Sequence, residues 1–137
     1  MTVLYVDDDS DDREIFGVAI HSVNPGVSYQ EFDAGQKIID FLKAKSIKPD
    51  FIFIDINMPK MNGYECATAI LSNFGVDHSK IVMFSTAFNP ADLERFQMMG
   101  VHTLQKSATF DELVQNLRHL FAGNTAATAT SLREGSR

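Results

Sequence analysis

Cysteine, clustered basic residues and long apolar runs are all scarce in this sequence, and each absence excludes a class of protein. Cys66 is the only cysteine, so neither a disulfide framework nor a cysteine metal cluster is available. The formal net charge of −6 and the pI near 5.0 argue against a nucleic-acid partner, because phosphate binding requires clustered Lys and Arg. No apolar run approaches the roughly 20 residues that span a bilayer, and no basic stretch precedes an apolar segment at the N-terminus. These absences predict a cytoplasmic protein without a membrane segment.

What the sequence does contain is enough apolar residues for one compact domain. Of its 137 residues, 45% are hydrophobic and 22% are charged, as in an ordinary globular protein. Residues 1–122 contain neither a linker nor an internal repeat, so we expect a single domain there. Residues 123–137 are rich in Thr, Ala and Ser and carry no apolar face, which predicts a flexible C-terminal tail.

Three short runs are apolar at every position rather than at every second one: Val3–Val6, Phe51–Ile54 and Ile81–Phe84. Strands that are buried on both faces, as in the centre of a parallel sheet, have this pattern. Ser28–Phe32 and Val101–Gln105 are weaker strand candidates. The sequence therefore predicts five strands, three of them central.

Amphipathic helical patterns separate these strands. The clearest is the stripe of apolar residues within 110–121, and similar stripes occur within 15–20, 38–42, 64–74 and 93–96. Five strands that alternate with five helices predict a doubly wound α/β fold with a parallel sheet. With right-handed crossovers, the order 2-1-3-4-5 places the first and third strands side by side, where the strand order reverses and ligands bind.

Carboxylates follow both of these neighbouring strands. Asp7 and Asp8 come directly after the first strand, and Asp55 comes directly after the third. Carboxylate oxygens suit Mg²⁺, which usually takes one or two carboxylates together with phosphate oxygens and water. We expect Asp8 and Asp55 to be direct ligands, Asp7 to bind through water, and the backbone carbonyl of Asn57 to complete the set.

Phosphoryl chemistry fits the remaining residues at this edge. A carboxylate beside Mg²⁺ can itself be the nucleophile and form an aspartyl phosphate, and Asp55 is the best candidate because the other acids flank it. A hydroxyl from Ser85 or Thr86 follows the fourth strand and could bond a phosphoryl oxygen. Lys106 follows the fifth strand and could pair with another oxygen.

Together these residues resemble a response-regulator receiver domain, the phosphoacceptor of two-component signalling. Four motifs carry the resemblance, in family order over residues 2 to 122: Tyr5-Val6-Asp7-Asp8-Asp9, Asp55-Ile56-Asn57-Met58-Pro59-Lys60-Met61-Asn62-Gly63, Ser85-Thr86-Ala87, and Lys106. The resemblance implies a flavodoxin-like fold, a requirement for Mg²⁺ and phosphorylation of Asp55. It also implies an acid pocket of Asp7 and Asp8, a switch hydroxyl on Thr86 and a phosphate contact from Lys106.

The resemblance also implies partners and a mode of action. Phosphate would come from a histidine kinase or a phosphotransfer protein, and the receiver would signal rather than act as a turnover enzyme. No further domain is expected after Phe121, so a stand-alone receiver would dock onto a downstream protein. The face formed by the fourth helix, fifth strand and fifth helix is the docking surface that the family implies.

Two residues depart from the family pattern. Receivers usually follow the lysine with a proline in a cis peptide, but here Ser107 follows, so a cis bond is not expected. Receivers often carry an aromatic residue three positions before the lysine, and here Thr103 holds that position. Both departures concern how phosphorylation is coupled to output rather than the phosphorylation chemistry.

Two alternatives stay open. A haloacid-dehalogenase-type phosphatase also uses a strand-end aspartate as nucleophile, but it needs a second aspartate two residues later, where this chain has Asn57. A degenerate receiver could act as a constitutive interaction module. We interpret Asp9, Asp11 and Asp12 as acids that favour a helix N-terminus rather than as ligands.

Overall fold

The structure, a computed structural model, describes residues 1–106 and 108–123 and alternates strand and helix throughout. Of the predicted tail, only Gly123 falls within the described residues, and Ser107, with the peptide bond that precedes it, lies outside them. The elements in chain order are β1 (Thr2–Val6), α1 (Ser10–Val23), β2 (Ser28–Phe32), α2 (Gly35–Ala44), β3 (Phe51–Asp55), α3 (Gly63–Asn73), β4 (Ile81–Ser85), α4 (Pro90–Met99), β5 (His102–Gln105) and α5 (Phe110–Phe121). A 3₁₀ turn, His78–Lys80, precedes β4.

The five strands form one parallel sheet in the order β2-β1-β3-β4-β5, which confirms the predicted topology. Val6 of β1 is in register with Ile54 of β3. The next residues, Asp7 directly after β1 and Asp55 as the last residue of β3, therefore lie at the same level of the sheet. The strand register alone brings the two acids to one edge.

Helices cover both faces of the sheet and create two apolar layers. Leu4 and Ile54 face the layer that includes helical residues such as Ile70, whereas Tyr5 and Phe53 face the opposite layer. Because alternate residues of a strand point to opposite faces, burial on both sides requires apolar residues at every position. The outer strands β2 and β5 are more exposed, which explains their weaker sequence patterns.

Side-chain caps fix where the helices begin beside this sheet. The Asp9 carboxylate accepts hydrogen bonds from the backbone N–H groups of Asp11 and Asp12 at the start of α1. Asn62 and Glu65 form a reciprocal capping box at the start of α3. Within the described residues, no helix is both long enough and apolar enough to cross a bilayer.

Candidate functional site

An acidic cluster lies at the carboxyl ends of β1 and β3. Asp7, Asp8 and Asp55 each place a carboxylate oxygen within 4.8 Å of the others. Asp7 is fully buried and Asp55 is 7% exposed, whereas Asp8 is exposed to solvent. The structure thus brings together the three acids that the sequence predicted.

Lys106 supplies the positive charge of this cluster from the end of β5. Its Nζ donates to Asp7 Oδ2 at 2.7 Å and lies 3.3 Å from Asp55 Oδ1. The Lys106 backbone N–H donates to the Ser85 carbonyl at 2.7 Å, which holds this residue beside β4. The predicted lysine therefore reaches the predicted phosphoacceptor.

Burial and neighbouring charges together shift the pKa values of Lys106 and Asp55. Burial favours the neutral form of Lys106, but hydrogen bonds to Asp12 and Asp7 outweigh it, so the lysine pKa is raised and the ammonium stays charged. Burial and the nearby charge of Asp7 raise the pKa of Asp55 to about 6, against the opposing effect of Lys106. In the metal-free site Asp55 therefore ionises less readily than an ordinary aspartate.

Asp7 is held by contacts that the sequence interpretation did not include. The Tyr5 hydroxyl donates to Asp7 Oδ2, and the backbone N–H of Asp9 donates to Asp7 Oδ1 at 2.9 Å. Arg13 donates to the Asp7 backbone carbonyl at 2.8 Å. The spacing of Tyr5 and Asp7 was the available signal, because residues i and i+2 of a strand share a face.

Asp12 is a second residue whose contact was missed. Its Oδ2 lies 2.8 Å from Lys106 Nζ. The interpretation as an acid in the first turn of α1 was correct about its position, but it did not anticipate the lysine. This contact depends on how α1 is rotated over the strand ends, which the sequence pattern does not specify.

The two hydroxyl residues after β4 differ in environment. Ser85 is buried, and its hydroxyl donates to the Ala87 carbonyl at 3.2 Å. Thr86 is exposed; its backbone carbonyl accepts from the Gln105 side chain at 2.9 Å, and its hydroxyl makes no hydrogen bond within residues 1–106 and 108–123. Of the two, Thr86 is thus the hydroxyl available to an incoming group, although the structure does not place it in contact with the acids.

The loop after β3 brings Asn57 to the same edge. Asn57 is exposed two residues after Asp55, and the Gly63 N–H donates to the Ile56 carbonyl at 2.7 Å to close the loop. A Cβ on Gly63 would lie only 2.4 Å from the Asp55 carbonyl oxygen, so this close approach requires glycine. The backbone at position 63 is not in the left-handed conformation that favours glycine. In this loop Lys60 is the residue with positive φ, at 67°.

The donor set fits a hard divalent cation. Mg²⁺ takes oxygen ligands at about 2.0–2.1 Å in octahedral geometry, so oxygens on one ion lie about 3–4 Å apart. The three carboxylate oxygens, all within 4.8 Å of one another, are close to that spacing before any ion draws them in. The carboxylates of Asp7, Asp8 and Asp55 can therefore hold such an ion, directly or through water.

The fold and the site define the class of protein: a parallel α/β domain with an acidic, lysine-paired centre where the strand order reverses. Residues 3–118 match the family described as response regulator receiver domain. The chain therefore belongs to the receiver domain family and is the receiver of a two-component system. Proteins of this family generally signal rather than turn over a substrate.

Individual relatives agree with this assignment. The chain is 32% identical over 100 residues to the protein-glutamate methylesterase/protein-glutamine glutaminase 1 of Methanosarcina mazei, an alignment that covers 66% of this chain and 27% of that protein. The phosphorylated cyanobacterial phytochrome response regulator RcpA superposes with a TM-score of 0.76 at 23% identity, covering 87% of this chain and 89% of RcpA. Chemotaxis protein CheY4 of Vibrio cholerae gives a TM-score of 0.69 at 24% identity, covering 87% and 97%. The matches span only 27–46% of the length of the first curated relatives.

Proposed function

We propose that this receiver accepts a phosphoryl group on Asp55 in a reaction that depends on Mg²⁺. The observation that carries the proposal is that the Asp55 carboxylate lies within 4.8 Å of carboxylate oxygens of Asp7 and Asp8 and 3.3 Å from the Lys106 ammonium. A carboxylate nucleophile beside a cation site and a fixed ammonium is the arrangement that phosphoryl transfer requires.

The residues divide the work of the transfer. A carboxylate oxygen of Asp55 forms a bond to phosphorus while the bond from phosphorus to the donor's imidazole nitrogen breaks, and the imidazole leaves as the donor's histidine. Lys106 would balance the charge of the phosphoryl oxygens, and the exposed Thr86 hydroxyl would donate to one of them. Mg²⁺ would be held by Asp8, Asp55, the Asn57 carbonyl and, through water, Asp7, and it would supply further charge neutralisation.

The partners follow from this chemistry. The phosphoryl donor would be a histidine kinase or a phosphotransfer protein in the cytoplasm. The signal would pass to a downstream protein through the face formed by α4, β5 and α5. Met98 on α4 is 82% exposed and Phe110 on α5 is 42% exposed, which supports a partner surface there. Stand-alone action remains a prediction.

The phosphatase alternative has less support. Asn57 stands where that chemistry needs a second aspartate, and the match to the receiver family covers residues 3–118. The degenerate-receiver alternative predicts the same fold but no phosphorylation, and therefore differs in a measurable way.

Incubation with acetyl phosphate and Mg²⁺, followed by intact-mass measurement, tests the proposal. We expect wild type to gain the mass of one phosphoryl group, and we expect no gain in Asp55→Asn or when EDTA replaces Mg²⁺. Asp11→Asn, which removes an exposed acid of α1, is the matched control and should label like wild type. Labelling that persists in Asp55→Asn would exclude Asp55 as the acceptor, and unlabelled wild type would favour the constitutive module.

A further inference from the structure

The Lys106 ammonium already contacts three carboxylates before any phosphoryl group arrives. Its Nζ donates hydrogen bonds to Asp7 at 2.7 Å and to Asp12 at 2.8 Å, and it forms an ion pair with Asp55 at 3.3 Å. Two of these acids belong to the cluster that can hold a cation, but Asp12 does not. Asp12 is therefore the one partner of Lys106 that no bound cation would engage.

We infer that Asp12 is a positioning residue that holds Lys106 toward α1 and thereby lowers the affinity of the site for a phosphoryl group. This inference rests on the proposed function. Once Asp7 and Asp55 are engaged by a cation, Asp12 is the carboxylate left to Lys106. A phosphoryl group on Asp55 must then share the ammonium with Asp12 or displace it. Either outcome reduces what the lysine contributes to the phosphorylated state.

Asp12 is anchored where it can exert this effect. The Asp9 side chain caps the first turn of α1. Arg13, the residue after Asp12, donates a hydrogen bond to the Asp7 carbonyl and forms an ion pair with Glu31 on β2. The Asp12 side chain is 35% exposed and that of Lys106 only 12%, so solvent screens this pair less than a surface ion pair. The contact is thus part of the packed junction between α1 and the strand ends.

Comparison of Asp12→Asn with Asp11→Asn tests the inference. Both substitutions remove one negative charge from the first turn of α1, but the Asp11 side chain makes no hydrogen bond or ion pair within the described part of the chain. At saturating Mg²⁺, we expect Asp12→Asn to bind beryllofluoride, a phosphoryl mimic, about threefold to tenfold more tightly than Asp11→Asn does. Binding would be measured by titration calorimetry.

Mg²⁺ affinity, titrated without beryllofluoride, separates positioning from general damage. When Asp12 is neutral, Lys106 pairs more strongly with Asp7 and Asp55, so Mg²⁺ should bind no more tightly than to Asp11→Asn. Disturbed packing would instead weaken the binding of both Mg²⁺ and beryllofluoride. Asp12→Glu, which keeps the carboxylate, should restore affinities close to those of wild type.

A double substitution shows whether the effect passes through the lysine. In a Lys106→Ala background, the added Asp12→Asn change should alter beryllofluoride affinity by less than about twofold. The inference is overturned if Asp12→Asn binds beryllofluoride no more tightly than Asp11→Asn, if Asp12→Glu behaves like Asp12→Asn, or if the gain persists without Lys106. If wild type itself neither binds beryllofluoride nor labels on Asp55, the proposed function fails and this inference fails with it.

Discussion

Asp55 is under opposing influences that set how the site behaves before it meets a cation. Burial and the charge of Asp7 raise its pKa to about 6, and Lys106 lowers it only in part. When no cation is bound, ionised Asp55 is thus a destabilising group, because the loss of solvation on burial and the repulsion from Asp7 outweigh its ion pair with Lys106. This strain makes the same carboxylate ready to accept a cation, which would favour the ionised form.

The pH dependence of stability follows from this shift. In unfolded chains an aspartate has a pKa of about 3.9, so between about pH 4 and pH 6 the Asp55 carboxyl binds more protons in the folded state, and its contribution to stability falls as pH rises. In EDTA at pH 8, we expect Asp55→Asn to be about 1 kcal/mol more stable than wild type, a value reduced by solvent screening. At pH 4 the gain should disappear.

Urea unfolding at both pH values measures this difference, with Asp11→Asn as the control for loss of one acid. A gain of equal size at pH 4 and pH 8 would contradict the prediction, because it would not depend on ionisation of Asp55. Destabilisation at pH 8 would show that the Lys106 ion pair outweighs burial and repulsion.

At the scale of single residues, the sequence predicted the groups that directly follow apolar strands. Asp7, Asp55 and Lys106 were predicted because strand ends meet at one edge whatever the details of packing. Tyr5 and Asp12 were not, for different reasons. Tyr5 is hidden within an apolar strand, and Asp12 reaches Lys106 only through the rotation of α1 about its axis.

At the scale of elements, the start of α3 sets the backbone position of Asp55. Gly63 packs against the Asp55 carbonyl, and an added Cβ would also lie 2.7 Å from the Ile56 Cα. These are backbone atoms of Asp55 and Ile56, which cannot move aside as the end of a flexible side chain can. The junction of β3 and α3 therefore allows no side chain at this position.

Gly63→Ala tests this packing against a matched glycine. We expect Gly63→Ala to destabilise the protein by about 1–3 kcal/mol and to slow labelling by acetyl phosphate, because Asp55 is displaced. In Gly17→Ala the new Cβ would meet only the Tyr29 ring, at an ordinary 3.5 Å, inside α1. That variant should gain about 0.5–1 kcal/mol from helix propensity and should label normally.

Urea unfolding and intact-mass time courses on both variants provide the measurement. Equal stabilities for the two alanine variants would contradict the prediction, because they would show that the β3–α3 junction accommodates a Cβ at position 63 at little cost. Normal labelling of a destabilised Gly63→Ala protein would separate the packing of α3 from the position of Asp55.

The limits of a strand were predicted more accurately when the strand is buried. The central strand β4 begins at Ile81 as predicted, because burial on both faces leaves a continuous apolar run, and the strand extends one residue beyond that run, to the buried Ser85. The prediction for β5 began at Val101, one residue before the strand itself. An edge strand has one unpaired side, so its sequence constrains its limits less.

At the scale of the whole molecule, the site exists only because the fold is complete. Asp7 and Lys106 lie 99 positions apart along the chain and meet only when β1 and β5 belong to one sheet. An unfolded chain cannot present these groups together. Any ligand of the assembled site must therefore stabilise the folded state.

Mg²⁺ should accordingly raise the melting temperature, and Asp8→Asn isolates this effect. At tenfold excess over its dissociation constant, a ligand contributes about 1.4 kcal/mol, or roughly 4–8 °C for a domain of this size. Asp8 is exposed and makes no hydrogen bond or ion pair within the residues that the structure describes. Asp8→Asn should therefore melt in EDTA at or slightly above the wild-type temperature, since it removes a charge that repels Asp55.

With Mg²⁺ added, we expect wild type and the Asp11→Asn control to shift upward together while Asp8→Asn stays near its value in EDTA. Thermal melts followed by circular dichroism, in EDTA and over a range of Mg²⁺ concentrations, measure both the intrinsic melting temperature and its shift with Mg²⁺. An equal Mg²⁺ shift in Asp8→Asn would place the cation elsewhere in the molecule. A lower melting temperature in EDTA would instead make Asp8 a structural residue, because a pure ligand contributes nothing to the fold until its cation arrives.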